Sequence, residues 1–381
     1  MSAHPRHRLR LAALATAALA STPALALDGV VGPGNCNEAG LAAVVAQVDG
    51  AGGGTITFDC GSATIALTAA LQVANTVTID GGGAITLDGG GASAFVQVYA
   101  SAQVTLVGLT LQHGVFDGVH ALENFGTLRL DRVRMRDNID DGPPVANYGL
   151  LQVQRSSFSG NAATSSSADG GAIANIGGEL QVEASTFNAN TAGRNGGAIY
   201  SDSLLTIRNA TFTGNEAFGG GAVFQASGLG SIEYATIVAN SATFGAGLYN
   251  EGGSGGTLTI GRSIVSANAD GNCDGVLASS GYNLSNDTGC GGAFTGPGDL
   301  IGQSLPMGSL ADNGGPTLTM LPLPGNPAID HVPDAQCLLA ADQRGASRPA
   351  GPGCDSGAVE AGAVLDVIFI DGFDGFGAPP P

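Results

Sequence analysis

A G-G-A-(I/V) phrase starts at Gly170, Gly196 and Gly220 and returns as Gly245-Ala246-Gly247-Leu248, at spacings of 26, 24 and 25 residues. A second phrase, an aromatic or aliphatic residue followed three positions later by Asn, runs Phe158/Asn161, Phe187/Asn190, Phe212/Asn215 and Ile237/Asn240 at spacings of 29, 25 and 25. The two phrases drift together, so they belong to one unit of about 25 residues, and a fixed period of that size implies a solenoid. Within a unit, Ala198-Ile199-Tyr200, Leu205-Thr206-Ile207 and Ala210-Thr211-Phe212 are short alternating runs separated by Gly, Asn, Ser or Asp, which reads as strands. Three strands this short cannot bury an apolar face alone, but they can if each coil stacks on the next through parallel ladders.

The expected fold is therefore all-β, a single-stranded right-handed parallel β-helix. Counting from Gly61 to about Leu300 gives roughly ten coils, a rod near 50 Å long at ~4.8 Å per ladder step. Ile173, Ile199 and Val223 should form one inward column, and Phe158, Phe187, Phe212 and Ile237 another. Asn161, Asn190, Asn215 and Asn240 read as a structural ladder, each in the left-handed backbone conformation and bonded to the Asn one coil away. Asn124-Phe125-Gly126, Asn147-Tyr148-Gly149, Asn175-Ile176-Gly177 and Asn250-Glu251-Gly252 follow the same logic. The functional alternative is a carbohydrate-binding Asn row. An open solenoid end is an aggregation template, and Glu38 to Val48 reads as an amphipathic helix that covers the N-terminal coil.

Arg6, Arg8 and Arg10 precede an apolar stretch, Leu11 to Ala20, that leads to Ala24-Leu25-Ala26, the pattern of a secretory signal peptide cleaved after Ala26. That stretch is roughly half the ~20 residues a bilayer span needs, and no later run is long enough, so no transmembrane segment is expected after cleavage. Beyond Ala26 the chain keeps ten basic residues against 32 acidic ones and has no lysine, which excludes nucleic acid and anionic membranes as partners. The six cysteines fall in three local pairs, Cys36 with Cys60, Cys273 with Cys290 and Cys337 with Cys354. An even count in an exported chain favours disulfides over a metal site, since no CxxC or Cys/His cluster is present; the connectivity stays open. No cofactor is implied. The acidity admits calcium, but neither a D-x-D-x-D-G loop nor a GGxGxD nonapeptide occurs.

The repeated GGA(I/V)…(S/T)-x-F-x-x-N phrase resembles the polymorphic outer-membrane-protein repeat, and the chain from about Gly61 to Asn268 resembles right-handed β-helix proteins of the pectin-lyase-like fold. From Gly281 through Glu360, the phrases GYNLSNDTGC, GDLIG, LADNGGPTLTMLPLPGNPAID, DQRGASRP and CDSGAVE resemble the choice-of-anchor Q domain of bacterial surface and secreted proteins. The Leu365 to Phe376 stretch is similar to a short C-terminal signal of the IF-x-DGF type. The implied organisation is a signal peptide (1–26), an N-terminal cap (27–60), the β-helix (61–300), a choice-of-anchor Q-like cap region (301–362) and a tail acting as a sorting signal (363–381). The implied location is secreted or at the outer surface of a bacterium.

That fold hosts lyases, hydrolases and inert adhesins, so chemistry must come from residues. The stretch from His113 to Arg155 holds His113, His120, Arg129, Arg132, Arg134, Arg136 and Arg155 among Asp117, Glu123, Asp131, Asp137, Asp140 and Asp141. Alternation turns Leu128, Leu130, Val133 and Met135 inward and Arg129, Arg134 and Arg136 outward, while Arg132 and Arg155 occupy equivalent places on adjacent coils. The catalytic candidates are Arg134 or Arg136 as a proton-abstracting base, and Asp140 with Asp141 as an acid and base pair. The ligand-binding candidates are Arg129, Arg132, Arg155, His113 and His120, holding an acidic polysaccharide. The bland alternative is a solvated face of Arg/Asp pairs. Against the enzyme, the lyase pattern wants Lys or Arg beside calcium-binding acids. Of the polygalacturonase-like elements, only Asp140-Asp141 and a misplaced His113-Gly114 occur. Downstream, Asp342, Arg344, Arg348, Asp355 and Glu360 are placed to pair across a turn closed by Cys337 and Cys354, with Arg344 over the last coil's carbonyls. The leading expectation is a non-enzymatic secreted or surface-displayed scaffold or adhesin, its partner an extracellular glycan or host cell-surface component. The alternative is a polysaccharide lyase or glycoside hydrolase.

Overall fold

A computed structural model describes residues 26–115 and 120–365; the expected signal peptide up to residue 25 and the expected sorting tail beyond Leu365 lie outside them. The strands of the coils pair in parallel with their counterparts one coil earlier and later. Ile173–Asn175 lies between Val145–Asn147 and Ile199–Ser201, and Glu179–Glu183 between Leu150–Gln154 and Leu204–Arg208. Thr186–Asn188 lies between Ser157–Ser159 and Thr211–Thr213. The result is a right-handed parallel β-helix of about ten turns. A smaller ladder, Ile139–Asp140, Ala162–Ala163 and Thr191–Ala192, forms where the chain leaves the third strand of the coil.

Register places like on like. Ile173, Ile199, Val223 and Leu248 stack in one column, and Phe158, Phe187, Phe212 and Ile237 in another, all buried. The phenylalanine rings are offset-stacked at 4.7 and 4.9 Å with planes 6° apart. Each buried Phe contributes about 2–3 kcal/mol by burial, with about 1 kcal/mol more from each stacked pair.

The Asn ladder is longer than the repeat suggested. Nδ2 of Asn138, Asn161, Asn190, Asn215 and Asn240 donates to Oδ1 of the next Asn at 2.8–2.9 Å, and Asn268 passes the chain on to Asn272 Oδ1 at 2.8 Å. Each Nδ2 from Asn161 to Asn240 also reaches a backbone carbonyl of the preceding coil, Met135, Phe158, Phe187 and Phe212 in turn. The left-handed conformation, however, belongs to the residue before each Asn: Asp137, Gly160, Ala189, Gly214, Ala239 and Ala267 all have φ between 53° and 66°. The preceding residue makes the bend. Asn is needed for an amide that donates and accepts at once inside the coil. The second series behaves alike: Asn124, Asn147 and Asn175 are linked at 2.7 Å, and positive φ falls on Gly177 and Gly252.

At the N-terminal end Gly29–Val31 pairs with Ile56–Phe58, and the helix α1 (Glu38–Gly50) between them buries Leu41, Val45 and Val48 against that coil. Asn37 caps the helix by accepting from Gly40 N–H at 3.0 Å. Disulfides join Cys36 to Cys60, Cys273 to Cys290 and Cys337 to Cys354.

Residues 301–365 form a strap along one flank. It meets the bends between second and third strands, where Ala184, Asn209, Tyr234, Arg262 and Tyr282 have positive φ. Thr317 Oγ1 donates to Ala184 O, Asn209 Nδ2 to Ala341 O, and Leu338 N–H to the Tyr234 hydroxyl. Arg262 Nε donates to Gln336 O, and Ser356 Oγ to Tyr282 O. Arg344 does not cover terminal carbonyls: it pairs with Asp342 and donates to Glu360 O and Asn313 O within the strap. The reason is that the strap folds back along the rod, so its charged groups face its own turns.

Candidate functional site

The stretch from His113 to Arg155 divides between two faces, because the bend before Asn138 turns the chain. On the first face, Arg155 grips Asp131 through Nε and Nη2 at 3.0 and 2.7 Å. Arg129 and Arg132 stand 3.6 and 4.0 Å from the same carboxylate. Arg129 also donates to Gln154, and Arg136 to Gln112, whose amide bonds Asp88. His113 Nδ1 lies 3.2 Å from Asp88. Burial, then the neighbouring Arg136, lowers the Arg134 guanidinium pKa. Arg132 and Arg155 both adopt positive φ, so they occupy the same bend that the strap covers farther along the rod.

Asp140 and Asp141 lie on the other face. They are consecutive, Asp140 closing the short strand Ile139–Asp140 and Asp141 standing in the bend that follows. Asp140 Oδ1 accepts from Asp141 N–H, and Asp141 Oδ1 from the Thr164 hydroxyl. Asp141 and His120 line a shallow cavity of about 390 Å³ with Pro143, Ser165, Asp169, Ala174, Ile176 and Tyr200. His120 Nδ1 is 2.9 Å from Pro143 O, and since a carbonyl only accepts, Nδ1 carries the proton. Asp117 lies outside the described residues.

The cavity is one end of a column in which Ala146, Ala174 and Phe224 are buried while Tyr200 and Tyr249 are half-buried. The ladder aligns Glu123, Ala146, Ala174, Tyr200, Phe224, Tyr249 and Asp274. Small Ala174 leaves the depression and Tyr200 walls it. Tyr200 stacks on Phe224 at 5.8 Å and Phe224 on Tyr249 at 4.8 Å. Phe244 meets Tyr249 edge-on at 4.9 Å, and Phe218, 54 % exposed, meets Phe244 at 5.1 Å. On the adjacent bend, Phe125 and Tyr148 stack at 5.0 Å one coil before Ile176. The Tyr200 hydroxyl is pushed up to about 12 by burial first, then by the Asp169 and Asp202 carboxylates. Arg194 bonds Asp169 through Nε at 2.8 Å and again through Nη2.

The glycine phrase makes this platform possible. A Cβ on Gly197 would lie 2.2 Å from Gly221 O, and one on Gly219 would lie 2.4 Å from the Phe244 ring. The sequence carried a signal for the column that strand alternation alone did not reveal: Ala174, Tyr200, Phe224 and Tyr249 each follow the last residue of the phrase. Among the described residues no group of three or more His, Cys, Asp or Glu side chains is placed to hold a metal ion, and no helix is long and apolar enough to cross a membrane.

Fold and cavity together define a disulfide-stapled parallel β-helix with three aromatic rings stacked on successive coils and a strap on another flank. No family model, curated protein or solved structure matches the chain.

Proposed function

We propose that this protein is a non-enzymatic scaffold, exported or displayed at a bacterial surface, that binds glycan chains along the Tyr200–Phe224–Tyr249 groove. The single observation carrying this is the cavity walled by Tyr200 at the end of an aromatic column in which Tyr200 and Tyr249 are half-buried and Phe224 is packed between them. Sugar rings present C–H faces that stack on aromatic rings, and a coil rise of ~4.8 Å is close to the length of one pyranose residue. Such sites are apolar surfaces with a few placed polar groups, here Asp141, Asp169 and His120.

The resemblance to choice-of-anchor Q domains and the leader-like start support export. Three disulfides fit an oxidising compartment. The lyase or hydrolase alternative gains nothing from the arginine face, where Arg129, Arg132 and Arg155 converge on Asp131. Nor does it gain from Asp140 and Asp141, whose oxygens accept from the Asp141 N–H and the Thr164 hydroxyl.

The test is binding of residues 27–381 to a panel of polysaccharides, with reducing-end and unsaturated-end assays in parallel. Binding without product release, lost in Tyr200→Ala and Tyr249→Ala while both variants still unfold in one cooperative transition above the assay temperature, is the expected result. Product release, or binding indifferent to both substitutions, overturns it.

A further inference from the structure

The polar groups around the aromatic column have one dominant sign. Asp141 lines the cavity beside Tyr200. Asp169, Asp202 and Glu251 lie within electrostatic reach of the Tyr200 hydroxyl, and Asp274 and Glu251 within reach of Tyr249. Asp274 is itself the next outward residue after Tyr249 in the ladder, so the platform runs directly onto a carboxylate. The cation recorded at Tyr200 is Arg194, and it is held by Asp169. The other cations concentrate elsewhere: five of the ten arginines beyond the leader sit between Arg129 and Arg155, on the opposite side of the bend before Asn138.

Resting on the glycan-binding reading above, we infer that the groove selects an amino-sugar polymer, a glycan bearing free ammonium groups. An aromatic face attracts a cation through its ring quadrupole, and Tyr200, whose other neighbour is Phe224, walls a cavity that Asp141 and Asp169 also line. An ammonium on a stacked sugar meets both at once. A uronate placed the same way sets carboxylate against carboxylate, which is repulsive and poorly screened in a recess. An acetylated sugar keeps the stacking and forfeits the charge.

The experiment is calorimetric titration of the full chain beyond the leader with three oligosaccharides of equal length and linkage: a glucosamine oligomer, its N-acetylated counterpart and a glucuronate oligomer. It is run below pH 6 in about 50 mM salt. The same titrations are made on Glu251→Gln/Asp274→Asn, both residues being exposed. The amine oligomer is expected to bind roughly tenfold tighter than the acetylated one. The double variant should lose most of that advantage and keep its affinity for the acetylated oligomer.

Equal affinity for the two oligomers, or tighter binding of the glucuronate, overturns the amino-sugar inference and leaves glycan binding standing. An advantage that survives the double variant overturns it as well, because it then comes from the chain's overall negative charge. Failure of all three to bind, together with failure across the polysaccharide panel, removes the parent reading instead.

Discussion

The Gln343 side chain accepts a hydrogen bond from the Thr211 hydroxyl at 2.6 Å, across 132 residues of sequence. Its amide nitrogen donates to Thr186 Oγ1 at 2.8 Å and Thr317 Oγ1 at 2.9 Å. One buried amide thus ties the strap to two coils. Gln343→Leu strands the buried Thr211 hydroxyl and takes one partner each from Thr186 and Thr317, which keep Leu318 O and Ala184 O, at a cost of about 1–3 kcal/mol. Because a solenoid opens locally before it opens globally, hydrogen exchange is the informative probe. Faster exchange confined to the strap and the Ser185 to Thr211 bends is expected; exchange unchanged from the parent would show that Gln343 is not a fastener.

Asp355 gives the strap a pH dependence. Burial raises its carboxyl to about 6, with Glu360 adding to the rise while Ala361 N–H, Asp330 N–H and Arg348 oppose it. A folded-state value above the unfolded one means that the folded state binds the proton more tightly. The stabilisation is therefore full below the ordinary carboxyl range and is lost as pH rises through about 6. A shift near two units corresponds to about 3 kcal/mol between those limits. Unfolding temperatures from pH 4 to 7.5 should show the parent losing stability across this window relative to Asp355→Asn, whose curve should be flatter. Parallel curves would contradict the assignment.

The Asn ladder makes a sharper stability claim. Asn215 Oδ1 accepts both the N–H and Nδ2 of Asn190 at 3.0 and 2.9 Å, while its own Nδ2 donates to Asn240 Oδ1 and Phe187 O. Asn215→Ala leaves the Asn190 N–H without its acceptor and takes one partner each from Asn190 Nδ2 and Asn240 Oδ1, which keep Phe158 O and the Asn215 N–H, at a cost of about 2–3 kcal/mol. Asn215→Asp retains the acceptor and loses the donor, so it should fall below the parent at neutral pH and recover partly in acid. Chemical denaturation at both pH values checks the order; an alanine variant as stable as the parent would make the ladder incidental.

What could be read from the sequence follows from where each constraint acts. The columns of Phe158, Phe187 and Phe212 and of the ladder asparagines are repeated, side-chain-specific demands, so they print through as a period of about 25 residues. The bends are backbone demands met by Asp137, Gly160, Ala189 and Gly214 alike, so no residue type marks them. The strap's contacts, such as Gln343 with Thr186, join segments 157 residues apart and have no period at all. The candidate site suffered in another way. His113 to Arg155 is contiguous in sequence, yet the bend before Asn138 puts Asp141 and the arginines on different faces. Tyr200, Phe224 and Tyr249 are scattered in sequence and contiguous in space.

The arginine face yields the last prediction. Three guanidiniums, from Arg129, Arg132 and Arg155, surround the buried Asp131 carboxylate. Removing one cation should matter little: Arg155 is substantially exposed, and Arg155→Ala should cost about 1 kcal/mol or less. Removing the anion should matter more. Asp131→Asn leaves three like charges around a group that no longer neutralises them, and the cost should exceed that of Arg155→Ala by a factor of two or more. Neither change should alter glycan binding, since the groove lies on the other face. If Arg155→Ala instead abolished binding of an acidic polymer while leaving the unfolding temperature unchanged, the cluster would be a ligand site, and the stabilities of the two variants would no longer follow this order.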